Sequence, residues 1–500
     1  MAARDADIGR LYALAFVLFA VFSLAFAWPW LAGWVTIPWD AKAHFYAQLV
    51  FLAHALHHGE SPFWTPNVFA GSVQIADPQS LIFTPPYLLL AALDPEPSFR
   101  AADATIFAML FAGGIGLMLF FRDRGWHPAG ALVAALAFAF GGSAAWRIQH
   151  IGEVLSLCWF AITLWLVARA LDHAAFRWAR LNAANVIDSN NDEHAFREKP
   201  ISIFSQHAPD HDDFGSNRSK VMNVIDSENL ERDAGEKPVP TFSHPTLDRR
   251  SLVWGALAGV AGGCMVVGRD QIAFLCALVL VAYVVWRLLI EPGRGARIAA
   301  TLPALAAGLV SGLIVSAVPL ALTIALAAQS NRPDIAFADA VQGSLHPAAF
   351  LTALAADLYG TRGPTASYWG TPSSPLWGPI DFVLARNMGD IYFGALPLLA
   401  LLLGLARGRL FARSAAIFAV AALVMTFYAF GKFTPFFRSI FGFPGVDLFR
   451  RPADATFPLG ALLALLGGYC VHAEIAEPRA WSWRAVAIAT AIIACLFVAA

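Results

Sequence analysis

A chain of 500 residues that is 58% hydrophobic and only 14% charged lies far from the roughly 25% charged content of soluble domains. Lys and Arg number 34 against 35 Asp and Glu, a formal net charge of −1. That balance excludes a nucleic-acid binder working through a basic field, and equally an acidic disordered chain. The five cysteines fall inside apolar runs with no CxxC spacing, so they read as small buried hydrophobes and not as disulfides or zinc ligands.

A bilayer span takes about 20 mostly apolar residues. Runs of that kind lie near 11–34, 103–121, 128–146, 152–171, 251–268, 271–290, 299–328, 391–406, 414–430, 456–473 and 485–500. They predict an all-α polytopic membrane protein with about eleven transmembrane helices. The first run is long for a signal-peptide core and lacks a clear small-residue cleavage site, so it reads as an anchor. The stretch 81–93 is short and carries Pro85-Pro86, which suits a re-entrant or interfacial segment. If it does not cross, Arg4, Arg10, Arg122, Arg124, Arg177, Arg180, Arg294, Arg297, Arg407, Arg409, Arg413, Arg479 and Arg484 share one side. The positive-inside bias then makes that side, with the N-terminus, cytoplasmic. The outer face receives 35–102, 147–151, 269–270, 329–390 and 431–455.

Three regions follow. Residues 1–181 form an N-terminal membrane region with the large first outer loop 35–102, and 251–500 form a C-terminal membrane region. Between them, 182–250 are polar and contain a two-copy repeat. Asn185-Val186-Ile187-Asp188-Ser189 recurs at Asn223 to Ser227, an offset of 38 residues. Two short copies cannot bury a core, and low hydrophobicity predicts a disordered, tolerated insertion. Its wording resembles translated mobile repeat elements found in frame within alphaproteobacterial genes. Its His194, His207 and His211 fit no standard metal-ligand spacing.

The expected outer face holds the polar groups that could carry chemistry. Asp40, His44 and Gln48 fall at i, i+4 and i+8, one face of a helix. An Asp just beyond a membrane helix also serves as an ordinary helix N-cap. Downstream, Trp64 lies in a Pro- and Gly-rich stretch as an aromatic anchor. His54, His57 and His58 have i, i+3, i+4 spacing near Glu60, although surface His on a water-facing side are commoner than a metal site. His150 and Glu153 occupy one turn between apolar helices, and Arg269-Asp270 another. Charged groups at such depth usually face an interior cavity, though Arg269 and Asp270 could simply pair or snorkel. Arg450 and Arg451 suit a phosphate through charge-assisted hydrogen bonds, or pair with Asp447 and Asp454. No Walker, Rossmann or GxSxG pattern occurs.

In order along the chain, Trp39-Asp40, Gly59-Glu60-Ser61-Pro62-Phe63-Trp64, Trp146-Arg147-Ile148-Gln149-His150, Gly268-Arg269-Asp270-Gln271, Phe430-Gly431-Lys432-Phe433-Thr434-Pro435 and Phe449-Arg450-Arg451-Pro452-Ala453-Asp454 resemble bacterial YfhO-type membrane proteins. The arrangement of first span, loop with an early Asp and Pro-rich segment is similar to the GT-C glycosyltransferase superfamily. The Gly268 to Gln271 stretch departs from that pattern, which more often has a His-Pro type dipeptide. The resemblance implies a bacterial cytoplasmic-membrane enzyme that moves a sugar from a polyprenyl-phosphate donor to an acceptor at the outer leaflet. Asp40 would be the general base, oriented by His44 or Lys42, with Glu153 and Asp270 as further catalytic carboxylates. Arg269, Arg450, Arg451, His150 and Trp64 would bind substrate. A divalent cation, Mg or Mn, shared by Asp40 and Glu153 or Asp270 is compatible with such ligands. Trp39, Trp64, Tyr368 and Trp369 are sugar-stacking candidates. The competing classes are a non-catalytic scaffold of glycan assembly and a lipid or glycan transporter; the near absence of charge at span centres disfavours the transporter.

Overall fold

The computed structural model describes residues 2–68, 70–189, 249–290, 294–330, 335–360, 368–371, 373–378 and 386–478, together with 487 and 491. Among them, eight helices are long and apolar enough to cross a membrane: Asp7–Leu31, Phe99–Asp123, Pro128–Trp146, Ile151–Ala174, Gln271–Ile290, Arg297–Ala328, Arg413–Phe433 and Pro452–Ala476. The expected polytopic all-α architecture is therefore present. Three of the eleven expected spans fall outside this set, each for its own reason. The run 391–406 shortens to a helix over Ala395–Ala406, about 18 Å at 1.5 Å per residue and too short alone for a hydrocarbon core of about 30 Å. The run 251–268 becomes Arg249–Val266, in which two Arg and four Gly dilute the apolar character. The run 485–500 lies outside the described residues except at two positions.

In chain order the helices are α1 (Ala2–Leu31), α2 (Tyr46–His58), α3 (Pro85–Leu93), α4 (Phe99–Asp123), α5 (Pro128–Phe140), α6 (Gly142–Trp146), α7 (Ile151–Ser189), α8 (Arg249–Val266), α9 (Gln271–Ile290), α10 (Arg294–Ala328), α11 (Ala395–Ala406), α12 (Arg413–Phe430) and α13 (Thr456–Ala476). Between α2 and α3 lies the small antiparallel pair β1 (Trp64–Thr65) and β2 (Ser72–Val73). With nine residues, α3 reaches only about 13 Å. Alone it is too short for a hydrocarbon core of about 30 Å.

Two units divide the chain, 1–175 with 249–500, and 176–248. In the second unit, the described part is the continuation of α7 to Ser189. That helix outruns the expected span 152–171 and continues into the first residues of the expected insertion. The first repeat copy, Asn185 to Ser189, is therefore helical and not disordered, whereas 190–248, with the second copy and the three His, lie outside the described residues.

Within the first unit, small residues bring helices into close contact. On α8, Gly255, Gly259 and Gly263 recur every four residues and meet α10 directly. A Cβ at Gly259 would run into the Gly308 carbonyl oxygen, and one at Gly255 into that of Ala304. This is the small-xxx-small packing that lets membrane helices approach where no hydrophobic gain drives them together. Gly130 near the start of α5 and Gly468 of α13 make the same kind of contact.

Cross-links at the helix ends sort the loops. At one end, Tyr12 donates to the Trp126 carbonyl, Arg124 and Arg287 both pair with Asp172, and Arg407 pairs with Glu474. Of the arginines expected on one side of the membrane, Arg124 and Arg407 lie at this end. At the other end, Asn387 donates to the Trp146 carbonyl at 2.9 Å and Ser143 to Thr456 Oγ1 at 2.7 Å. Here the loops that follow α1, α6, α8 and α12 meet.

Candidate functional site

At the end away from the arginine-rich loops, four stretches far apart in sequence bring charged side chains together. Arg147, just after α6, is fully buried, and its Nη2 donates to Glu153 Oε2 at 2.9 Å and to Asp454 Oδ1 at 2.7 Å. Its guanidinium also lies 4.6 Å from the centroid of the Phe457 ring. The ring face compensates part of the desolvation of Nε and Nη1, which are buried without a hydrogen-bond partner. A cation taken this far out of water is tolerable only when paired with carboxylates.

Arg451 approaches the same carboxylates from the loop before α13. Its Nε is 3.6 Å from Asp454 Oδ2 and its Nη2 is 4.0 Å from Glu153 Oε1. The Asp454 carboxylate beside Arg451 holds its guanidinium above its ordinary range. Of the two expected phosphate-binding arginines, Arg451 therefore joins the cluster, and the alternative pairing with Asp454 is the one present. Arg450 is exposed and makes no ion pair among the described residues. Asp447 instead accepts from the Gly445 N–H.

Asp270 is held by two hydrogen bonds. Its Oδ1 accepts from the Ala273 N–H at 2.7 Å, which caps α9, and its Oδ2 accepts from Ser156 Oγ at 2.7 Å. Burial pushes its pKa up to about 7; the Ala273 and Ser156 hydrogen bonds oppose this, and the neighbouring Glu153 and Asp454 charges add to it. Its neighbour Arg269 turns away. It donates to the Val267 and Asp77 carbonyls and to Thr323 Oγ1, at 3.1, 3.0 and 2.9 Å. Arg269 thus clamps the segment before α3 to α10, and the alternative of an Arg269–Asp270 pair is not the arrangement present.

Asp40 forms the rim. Its side chain is 59% exposed, and Oδ2 lies 3.9 Å from His150 Nδ1, itself 3.9 Å from Glu153 Oε2. Burial and the Arg147 charge push the His150 pKa down to about 4, so the imidazole is neutral at pH 7 and its contact with Asp40 is polar, not ionic. Asp40 precedes the π-helix Ala41–Phe45 yet makes no capping hydrogen bond, so the ordinary N-cap role belongs to Asp270 and not to Asp40. Asp40 is exposed while Gln48 is buried, and His44 packs edge-on against Phe45 with its Nε2 buried and unpartnered. No hydrogen bond or ion pair joins His44 to Asp40 among the described residues; His150 takes that place.

Trp64 lies apart from the carboxylates, its ring covering Gly71 in the β1–β2 turn. Tyr368 and Trp369 belong to a separate aromatic group with Tyr359 and Trp377. Among the described residues, no group of three or more His, Cys, Asp or Glu could hold a metal ion. His54 and His58 stack at 4.0 Å, and His57 contacts the Ala91 carbonyl. Glu153 is engaged by Arg147, and both Asp270 oxygens are engaged by donors, so neither fits a cation shared with Asp40.

Backbone strain gathers here too. Among the described residues, five non-glycine residues have positive φ, and three adjoin the cluster: Trp39 at 58°, Arg269 at 53° and Arg451 at 64°. Each costs on the order of 1–3 kcal/mol, and such residues cluster at functional sites. The sequence reading passed over Arg147, Ser156 and Asp454 as site residues. The available signal was a charge in a short turn between two apolar runs, which applies to Arg147 as it does to Glu153.

No family model matches the chain, and no curated protein matches it. Among solved structures it is similar to the archaeal oligosaccharyltransferase AglB from Archaeoglobus fulgidus, in complex with an inhibitory peptide and a dolichol-phosphate. The TM-score is 0.40 at 12% identity, over 98% of this chain and 54% of that one. The chain thus spans about half the length of that protein. A likeness at this level establishes no shared family.

Proposed function

We propose that the chain is a GT-C-like membrane glycosyltransferase that moves a sugar from a polyprenyl-phosphate donor to a hydroxyl acceptor on the outer face of the cytoplasmic membrane. The observation that carries this reading is the position of Asp40, a solvent-reached carboxylate beside a neutral His150, at the rim of a buried cluster that includes Arg451. The ordered YfhO-type motifs agree with it.

In this reading Asp40 removes the proton from the acceptor hydroxyl, and His150 orients the carboxylate. The acceptor oxygen bonds to the anomeric carbon of the sugar as the bond from that carbon to the phosphate oxygen breaks. Polyprenyl phosphate leaves with the electron pair, its charge met by Arg450 and Arg451. Glu153 acts through Arg451 as a positioning residue. Asp270 and Arg269 support the walls from inside. No step passes through a divalent cation, since the carboxylates nearest Asp40 are already occupied by Arg147, Ser156 and the Ala273 N–H.

Reconstituting the full chain in proteoliposomes with a panel of polyprenyl-phosphate-linked radiolabelled sugars and a total glycan acceptor fraction tests the reading. Label leaving at least one donor for a water-soluble or glycan product supports it. Label retained on every donor contradicts it, and favours the scaffold alternative.

A further inference from the structure

Asp103 is a buried carboxylate that the proposed transfer does not use. It lies one turn into α4, and no cation pairs with it among the described residues. It does not cap its own helix, because Ser98 does so, its Oγ accepting from the Ala101 N–H at 3.2 Å. A carboxylate carried this far from water without a counterion is costly, and inside membrane helices such groups usually mark function. Its Oδ2 accepts from the Ile37 N–H at 3.2 Å. The Thr36 side chain and buried Tyr87 of α3 are polar neighbours.

Ile37 precedes Asp40 by three residues, and the chain between them has little freedom. Pro38 fixes its own φ and restricts Ile37. Trp39 stands at φ 58°, and its carbonyl accepts from the Lys42 and Ala43 N–H groups at 2.9 and 2.7 Å, which starts the π-helix. Trp39 is 65% exposed, so its ring does not anchor the segment. Asp40 makes no capping hydrogen bond and reaches His150 only at 3.9 Å. The direction of its carboxylate is therefore set by the backbone. Among the described residues, the nearest hydrogen bond tying that backbone to another helix is the one from the Ile37 N–H to Asp103.

We propose that Asp103 is a positioning residue for Asp40. By holding the Ile37 N–H, it fixes the stretch that delivers the Asp40 carboxylate to the rim beside His150. Asp103 itself touches neither substrate nor reacting atoms. The inference rests on the reading of Asp40 as general base, for which a misplacement of about 1 Å can cost on the order of 10²-fold in rate.

The test uses the full chain, in proteoliposomes for transfer and in detergent for hydrogen exchange. Asp103→Leu leaves the Ile37 N–H without its acceptor, whereas Asp103→Asn keeps an oxygen within reach. Asp103→Leu is expected to lower kcat by about tenfold or more with KM for the donor within about twofold, and Asp103→Asn to stay near the parent. Because the effect runs through Asp40, Asp103→Leu should change the residual rate of Asp40→Asn by less than about twofold. An equal loss in both backgrounds would mark a general structural role and overturn the proposal. Hydrogen exchange, which needs no turnover, should quicken across residues 36–43 in Asp103→Leu and not in Asp103→Asn. Unchanged exchange there, or faster exchange confined to 85–93, would assign Asp103 to the packing of α3 and overturn the proposal. Should Asp103→Leu fail to accumulate, Asp103→Glu keeps the charge, shifts the acceptor by one methylene and carries the same criteria. The two readings fail separately. Parental transfer by Asp40→Asn removes the general base whatever Asp103 does, whereas slow Asp40→Asn beside a parental kcat in Asp103→Leu overturns the positioning role alone.

Discussion

Arg147 and Asp454 are 307 positions apart in sequence and form a 2.7 Å ion pair that joins the turn after α6 to the start of α13. The same nitrogen reaches Glu153, so one buried guanidinium fixes two carboxylates. Removing one partner of such a pair strands the other charge, which is worse than removing both. Arg147→Met is expected to destabilise by about 3–5 kcal/mol and to lower the melting temperature. Pairing it with Asp454→Leu should restore part of the loss. A double-mutant cycle in detergent measures this, and additive losses would show that the pair is uncoupled.

Asp270 and His150 set opposite pH dependences. The Asp270 carboxyl is raised from its ordinary range to about 7, so the folded chain holds a proton that the unfolded chain releases near pH 4. Its contribution is therefore full below about pH 4 and is lost as pH rises through 7. His150 is lowered to about 4, so its contribution is present above the unfolded His value and is lost as pH falls toward 4. Asp270→Asn keeps a cap for α9 and should raise the melting temperature at pH 8 more than at pH 5. His150→Gln should flatten the acid limb. Parallel shifts at both pH values would contradict the Asp270 assignment.

Arg269 donates in three directions, to Val267, Asp77 and Thr323, a geometry that a lysine ammonium on its flexible stem does not reproduce. Arg269→Lys should therefore behave like Arg269→Gln, with faster proteolysis within residues 74–84. Parent-like protection in the lysine variant would show that charge alone suffices there.

The architecture was readable because its signals are local. Apolar run length gave the spans, and Pro85-Pro86 in a short run marked α3 as a segment that does not cross. Individual charges in turns between spans were readable for the same reason, which is how Glu153, Asp270 and Arg451 were found. Their partners were not. Arg147 chooses Asp454 through helix packing across the bundle, and Arg269 is pulled toward Asp77 and Thr323 by contacts that no spacing rule encodes. For His44 the i, i+4 spacing is a statement about a shared helix face, whereas a contact with Asp40 depends on side-chain direction, and none is present among the described residues. Helix α7 runs into the insertion as far as Ser189, and 190–248 lie outside the described residues.

Sidedness follows from alternation and charge bias and is open to direct labelling. In a cysteine-free background, single cysteines at exposed positions 60, 376 and 450 should react with an impermeant maleimide from one side of intact cells. Cysteines at 125, 408 and 477 should react only after permeabilisation. A mixed pattern within either set would break the arrangement of loops.

The proposal that sugar transfer depends on Asp40 as general base is tested most directly by Asp40→Asn in reconstituted membranes with a lipid-linked sugar that the parent uses. Loss of general-base catalysis should slow transfer by on the order of 10²–10⁴-fold, with abundance, melting temperature and donor binding unchanged, and His150→Gln should give a smaller loss. Transfer by Asp40→Asn at the parental rate would contradict the account.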